Sequence, residues 1–383
     1  MGRCLVGLRI CLDRYERETI LELKIAILSL AARFGDTTGD CLQAEKTAQA
    51  LRRLGHDARR FYFEPETGEV RDETNSPVGK LVETMRDMAV VHVIPPIPFP
   101  LIESLRGTKS LLAVSTIFWS SPVYWRVVLR NSSKLNVDLA KGLMREAVVS
   151  IGIKPLQRKF NGYDLLLPNS EDEESCVRKY CKLKQDAIVS VVPNAIDSVP
   201  DWVANLSRLG GLPKEDYIVV PACFAPRKNQ MALIKALRDC SYPVVFMGDG
   251  PLLDECKKAA SPHMVFLGHV EHQSRVFYST LKYARVACLP SNCETPGIAA
   301  LEAAALGARP VVPQEGGTRQ YYGRVAEYIN PLSTRSIRCA VERAWERGRL
   351  SECDSKRFVR MTWSWCAETT LEAYERARLV RAK

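Results

Sequence analysis

Apolar runs of strand length alternate with segments of helical periodicity along nearly the whole chain. In the first half the runs are Lys24–Leu30, Ala58–Phe63, Ala89–Ile94, Leu111–Ser115, Asp164–Leu167 and Ile188–Val192. In the second half they are Tyr217–Pro221, Pro243–Met247, Met264–Leu267, Val286–Pro290 and Pro310–Val312. The segments Cys41–Leu54, Ser170–Lys182, Asn229–Arg238 and Gly297–Leu306 read as intervening helices. Strands apolar on both faces belong to parallel sheets covered by helices on either side. The alternation therefore predicts an α/β chain of two doubly wound sheets in tandem. A break falls after Asn194, where Ile196–Lys214 carries Pro200, Gly210, Gly211 and Pro213 and reads as a linker. The expected divisions are an extension over 1–22, a first Rossmann-like domain over 23–197 and a second over 198–361, with a final helix at about 362–383 returning to the first domain. Ligands of such sheets gather at the carboxyl ends of the strands, so a cleft between the domains is the place to look.

A chain of 383 residues accommodates two such domains, and its 46% hydrophobic and 26% charged content is that of a globular protein. The apolar stretch Met88 to Leu105 is interrupted by Pro95, Pro96, Pro98 and Pro100 and is not a membrane span. The first residues lack the apolar core of a secretory signal, and Val6 stands where myristoylation needs Ser or Thr, so a cytoplasmic protein is expected. The 13 cysteines are scattered from Cys4 to Cys366 without a paired metal-ligand spacing, and they read as reduced, mostly buried thiols.

Charge changes the picture in one place. Residues 101–160 carry ten basic side chains (Arg106, Lys109, Arg126, Arg130, Lys134, Lys141, Arg145, Lys154, Arg158 and Lys159) against Glu103, Asp138 and Glu146, a local balance of +7. Trp119, Tyr124 and Trp125 stand among them. Such a segment is a solvated face, or a surface for an anionic membrane or acceptor. No nucleic-acid-binding motif accompanies it.

The sharpest motif is SNCETPGIAALEAAALGARPVV, at 291–312. A strand ends near Pro290, a polar loop holds Glu294, and a helix starts around Pro296–Gly297. A glycine at a helix start admits close backbone approach, and the free amides of the first turn suit a diphosphate. Glu302 lies inside that alanine-rich helix, where a carboxylate needs donors such as vicinal sugar hydroxyls.

Glu294 and Glu302 reproduce the Glu-x7-Glu spacing of family 4 retaining glycosyltransferases, and the chain resembles that family from about residue 23 to 378. The resemblance is carried by LKIAILSL, GDCLQAEKTAQALRRLGHDA, DLLLPNSEDE, VVPNAID, APRKNQMALIKAL, MGDGP, VFLGHV, EGGTRQYYGRVAEYINP and TWSWCAETTLEAY in that order. It implies the GT-B fold, two Rossmann-like domains facing a central cleft, with the first on the acceptor side and the second binding a nucleotide sugar. It further implies that Glu302 binds the ribose, that Glu294 meets the donor sugar, and that the backbone at Thr295, Pro296, Gly297 and Ile298 faces the diphosphate. Lys228 matches the family's phosphate lysine, Gly39 matches a glycine of its first loop, and Asp40 reads as a helix N-cap beside it. His269, in LGHV, falls near the expected base pocket, and the Gly248–Pro251 turn reads equally as packing or phosphate contact.

Three positions depart from the family pattern. Ala222 and Cys223 stand where a Gly-Arg dipeptide is common, leaving Arg227 to supply the missing charge from another angle. Ser115 and Thr116 stand where many members have a histidine, and Gln320 where a glutamate is frequent. The reaction so implied is sugar transfer with retention to an unnamed acceptor, without a metal or other cofactor and without a protein nucleophile. The rival readings are a degenerate GT-B protein that binds a nucleotide or partner without turnover, and a glycan phosphorylase or sugar epimerase on the same fold. With the cytoplasmic expectation, the membrane reading of the basic segment is peripheral contact at the inner membrane face, beside the solvated-face reading.

Overall fold

Two sheets organise the chain in a computed structural model that describes residues 22–30, 39–120 and 160–382. The first has seven strands: β1 (Lys24–Leu30), β2 (Asp57–Phe63), β3 (Val70–Asp72), β4 (Val90–Val93), β5 (Leu111–Ser115), β6 (Leu165–Leu167) and β7 (Ile188–Val189), in the order β3-β2-β1-β4-β5-β6-β7. The second has six: β8 (Ile218–Pro221), β9 (Val244–Met247), β10 (Met264–Phe266), β11 (Val286–Cys288), β12 (Arg309–Pro313) and β13 (Glu327–Ile329), in the order β10-β9-β8-β11-β12-β13. All pairings are parallel except β2–β3. The helices of the described residues are α1 (Gly39–Arg53), α2 (Leu81–Arg86), α3 (Phe99–Leu105), α4 (Glu171–Tyr180), α5 (Gln230–Ala236), α6 (Leu253–Ala259), α7 (Arg275–Lys282), α8 (Ile298–Ala305), α9 (Thr318–Tyr322), α10 (Thr334–Arg347), α11 (Glu352–Val359) and α12 (Trp363–Arg381).

The two-residue period of a strand divides each apolar run between two cores. In β1, Ile25 and Ile27 join one cluster while Ala26 and Leu28 join another on the opposite face. In β8, Ile218 and Val220 face one cluster and Val219 the other. The short strands β3 and β13 were not anticipated. Val70–Asp72 is a polar three-residue edge strand, and Glu327–Ile329 is too short to carry a periodic signal.

The last helix belongs physically to the first sheet. Trp363, Cys366, Ala367, Ala373, Tyr374 and Ala377 of α12 pack with Ala44, Ala48 and Leu51 of α1 and with Ile25 and Ile27 of β1. The crossing runs beside the outward linker, where Ile196 N–H donates to the Met361 carbonyl at 2.8 Å. The Tyr374 hydroxyl meets His92 Nδ1 at 2.7 Å, and His92 Nε2 meets Ser115 Oγ at 2.9 Å. His92 is thus a hydrogen-bonded core histidine whose pKa burial depresses to about 4.

One sequence expectation is corrected here. Helix α1 starts at Gly39, so Asp40 lies within its first turn and does not precede it as an N-cap. Eight of the ten basic residues of the 101–160 segment, with Tyr124 and Trp125, lie outside the described residues. Among the described residues no helix is long and apolar enough to cross a membrane.

Candidate functional site

The loops after β8 and β11 build one polar centre. After β8 the chain makes a tight helical turn at Pro226–Lys228, and Asn229 takes a left-handed conformation at φ 56°. Its side-chain amide donates to the carbonyls of Pro290 and Pro331, both at 3.1 Å, which anchors the turn to the end of the β11 strand. Asn292 N–H then donates to the Arg227 carbonyl at 2.9 Å. With the two loops tied together, Lys228 Nζ reaches Glu294 Oε1 at 2.5 Å. The pair is largely out of water, with side-chain exposures of 13% and 7%. Burial alone would push the Glu294 carboxyl up, but the charge and hydrogen bond of Lys228, with the charge of Arg227, outweigh it and hold Glu294 below its ordinary value.

Glycines make this geometry sterically possible. Gly316, at φ +97°, lies against Glu294, and a β-carbon there would overlap the Glu294 carbonyl oxygen. Gly248 and Gly250 let the turn after β9 lie against the backbone of Ala222 to Phe224. That close packing accounts for the Gly-Asp-Gly sequence without a ligand.

Helix α8 opens immediately beyond the centre. Gly297, at φ +87°, precedes it with no side chain to cap the first amides. Ile298 packs against the core of each domain at once, which sets the helix start at the cleft between them. The Tyr322 hydroxyl donates to the Gly297 carbonyl at 3.1 Å and so steadies the turn at Pro296 and Gly297. Thr295 is partly buried beside them. An uncapped helix start next to a lysine is an anion-binding arrangement.

Glu302 lies on the same helix but in separate company. Its Oε1 is 2.6 Å from His272 Nε2. Burial raises the Glu302 pKa, and the imidazole only partly offsets this. His272 itself is pushed down by burial, yet the bond to Glu302 and the charges of Glu302 and Asp197 leave it above its ordinary value. Asp197, His272 and Glu302 have ligand-type atoms within 4.8 Å of one another, close enough for the three to hold a metal ion. They are already engaged, because Lys46 Nζ of α1 lies 2.9 Å from Asp197 Oδ1. His272 was not singled out in the sequence, where the exposed His269 three residues earlier drew attention instead. Nothing local distinguishes the two.

Around the cleft the first domain contributes a second set of fixed groups. Glu173 of α4 is fully buried and accepts from Asn169 N–H at 2.8 Å, from Phe118 N–H at 2.7 Å and from the Thr116 hydroxyl. It therefore organises the loop that begins at Thr116, after β5. Ser115 accepts from the Gln43 side-chain amide at 3.2 Å. Across the cleft, Trp119 Nε1 donates to Glu315 Oε2 at 3.1 Å, and Gln320 Oε1 accepts from Glu171 N–H at 2.7 Å. The Tyr321 hydroxyl receives Asn194 N–H and donates to the Asn169 carbonyl, at 2.7 and 2.6 Å. Gln320 thus has a bridging role that a carboxylate, lacking nothing as an acceptor, could also fill.

Of the residues expected from the sequence, Lys228, Glu294, Thr295, Pro296, Gly297 and Ile298 come together at the cleft. Arg227 is exposed beside them, and Cys223 is exposed earlier on the same loop after β8. Gly39 and Asp40 open α1, the helix whose Lys46 reaches Asp197.

Comparison with known proteins agrees with the two-sheet architecture. Sucrose-phosphate synthase from Thermosynechococcus elongatus superposes with a TM-score of 0.66 at 15% identity, covering 94% of this chain and 100% of that one. The fold is GT-B. HepE from Anabaena, solved in complex with UDP and glucose, matches with a TM-score of 0.58 at 15% identity over 94% of this chain and 98% of that one. Residues 207–325 match the family model described as Glycosyl transferases group 1, a span that includes Lys228, Glu294 and Glu302. A D-rhamnosyltransferase, WbpZ of Pseudomonas aeruginosa, is 32% identical over 133 residues, which are 33% of this chain. The match spans 35% of that relative's length.

Proposed function

We propose that the protein is a glycosyltransferase that moves a hexosyl group from a nucleoside-diphosphate sugar to an acceptor, with retention at the anomeric carbon. The observation that carries the reading is the Lys228–Glu294 pair beside the uncapped start of α8, at the cleft of a GT-B fold. The group 1 match over the same segment and the D-rhamnosyltransferase relative support it. In the free protein each charge of the pair satisfies the other. A donor would enter between them, its diphosphate taking Lys228 and the amides at Gly297 and Ile298, its sugar hydroxyls taking Glu294. Lys228 and the helix start then stabilise the charge that develops on the leaving diphosphate. The acceptor hydroxyl attacks from the face the diphosphate leaves, and a phosphate oxygen receives its proton, so no protein nucleophile takes part. Arg227 supplies further positive charge to the diphosphate. Glu302 receives the vicinal hydroxyls of the ribose.

The acceptor enters on the side of the first domain. The composition of the basic 101–160 segment suits an anionic acceptor or the anionic inner face of a membrane, and the protein works in the cytoplasm. The transfer requires no metal.

The test is calorimetry and donor hydrolysis with a panel of nucleoside diphosphates and their sugars. One member should bind and be hydrolysed slowly, and Lys228→Ala with Glu302→Ala should abolish binding in a folded protein. Binding without hydrolysis or transfer would mark a degenerate enzyme, and no binding would remove the reading.

A further inference from the structure

Two consecutive tyrosines of α9 are bonded to different parts of the molecule. Tyr321, 2% exposed, places its hydroxyl between two backbone groups of the first domain. It accepts from Asn194 N–H at 2.7 Å and donates to the Asn169 carbonyl at 2.6 Å. Those groups belong to the loops after β6 and β7, and both asparagines are buried. Tyr322 is bonded within its own domain, where its hydroxyl donates to the Gly297 carbonyl at 3.1 Å, at the start of α8. Just before α9, Gly317 lies so near the first domain that a β-carbon there would stand 2.4 Å from Ser170 Oγ. Inside α9, Gln320 Oε1 accepts from Glu171 N–H at 2.7 Å. The seam also carries a cost, because Asn169 Nδ2 and Asn194 Oδ1 are buried there without a hydrogen-bond partner.

We infer that Tyr321 is a positioning residue that couples the diphosphate site of the second domain to the placement of the first. The inference rests on the proposed donor reading, in which the amides at Gly297 and Ile298 receive the diphosphate. A hydroxyl both donates and accepts, so this one satisfies two backbone groups that would otherwise be unpaired out of water. Burial holds the Tyr321 pKa well above its ordinary value, and the hydroxyl keeps the proton it donates. Domains of one chain move against each other unless their interface holds them. Water entering an opened seam would satisfy the two unpaired asparagine atoms, so the Tyr321 hydroxyl weights a closely balanced contact toward the clasped arrangement. In that arrangement α9 is pinned to the first domain at one residue and to the start of α8 at the next. Tyr322 then holds the turn whose amides meet the diphosphate, and a preorganised site binds more tightly than a loose one. The nucleotide favours the clasped arrangement and the clasped arrangement favours the nucleotide, by one and the same factor.

The experiment takes the best ligand among UDP, GDP, ADP and TDP by calorimetry and follows amide exchange of segment 188–196 by mass spectrometry. In the wild type, saturating ligand should slow exchange in that first-domain segment about fivefold, although the diphosphate contacts proposed above lie in the second domain. Tyr321→Phe keeps the ring and should abolish the slowing while raising Kd by about the same fivefold factor. Gly317→Ala keeps the hydroxyl but wedges the seam at Ser170, and with φ −78° at that position it adds no backbone strain. It should reproduce both changes, so the test does not depend on one variant folding. If Tyr321→Phe and Gly317→Ala lower only the melting temperature while the ligand still slows exchange, the contact is merely structural and the inference is overturned. An unchanged wild-type segment under saturating ligand overturns it as well. Should the wild type bind none of the four nucleotides, the donor reading itself falls and the inference with it. Binding without the exchange response removes only the role of Tyr321.

Discussion

Lys228 and Glu294, 66 residues apart in sequence, form an ion pair at 2.5 Å with both side chains largely buried. Removing one member of such a pair strands the other charge out of water, whereas removing both does not. Lys228→Met is therefore expected to lower unfolding stability by about 3 kcal/mol. The double variant Lys228→Met, Glu294→Gln should recover most of that loss while still failing to bind donor. Urea denaturation read by circular dichroism distinguishes the two. The native Glu294 pKa is depressed, so the contribution of the pair is complete above the unfolded carboxyl value near 4.5 and is lost as pH falls through the lower native value.

Arg227 and Cys223 separate in the same assay. The Arg227 charge acts on Glu294 and its side chain is exposed, while Cys223 is an exposed thiol earlier on the same loop. Arg227→Ala should weaken nucleoside diphosphate binding by about 1–2 kcal/mol, as one charge-assisted contact does, and Cys223→Ser should leave it unchanged. Equal binding by both variants would leave the phosphates to Lys228 and the α8 amides.

His92 predicts acid sensitivity of the first domain. It is buried neutral between Ser115 and Tyr374, with a native pKa of about 4 against an ordinary 6.5. The unfolded chain binds the proton first, so stability falls as pH drops from about 6.5 to about 4 and is level below that. The expected loss is about 3 kcal/mol, from the rule of 1.36 kcal/mol per unit. His92→Gln should flatten this window relative to the wild type in denaturation series at pH 7, 5.5 and 4.

Gly316 tests the backbone behind Glu294. An alanine there would place a β-carbon on the Glu294 carbonyl in a conformation, φ +97°, that side chains rarely adopt. Gly316→Ala should cost about 2–4 kcal/mol in stability and, because the loop holding Glu294 must move, most of the turnover. Thermal unfolding and a transfer assay with the identified donor check it. An unaffected turnover would mean that Glu294 is not held by this contact.

The basic segment predicts salt-sensitive attraction to anionic surfaces. Each engaged basic residue contributes about 1 kcal/mol near such a membrane, screened over about 8 Å at physiological salt. Cosedimentation with anionic vesicles at low salt should show binding that disappears as salt rises and is absent with neutral vesicles. Binding that ignores lipid charge would exclude the electrostatic role.

Much of the architecture was already written in local pattern. Strands buried on both faces must be apolar throughout, so runs such as Lys24–Leu30 and Val244–Met247 declare a parallel sheet from their own residues. The Glu294 loop and its helix were legible because a strand, a glycine turn and a helix start are consecutive in the chain. What local pattern could not hold is any relationship set by strand order. His272 and Glu302 lie 30 residues apart, on the α7 side and on α8, and only the packing of those elements brings the imidazole to the carboxylate. Tyr374 and His92, 282 residues apart, meet because α12 covers the first sheet. The buried role of Glu173 arose in the same way, since its Ser-x-x-Glu spacing signals a helix cap while its carboxylate serves the loop after β5. The sequence by itself determined the central strands of both sheets, the helices at α1, α4, α5 and α8, and which loop would carry charge. Only the tertiary structure decided which charges would be neighbours, because desolvation makes a buried carboxylate depend on whatever cation the fold delivers to it.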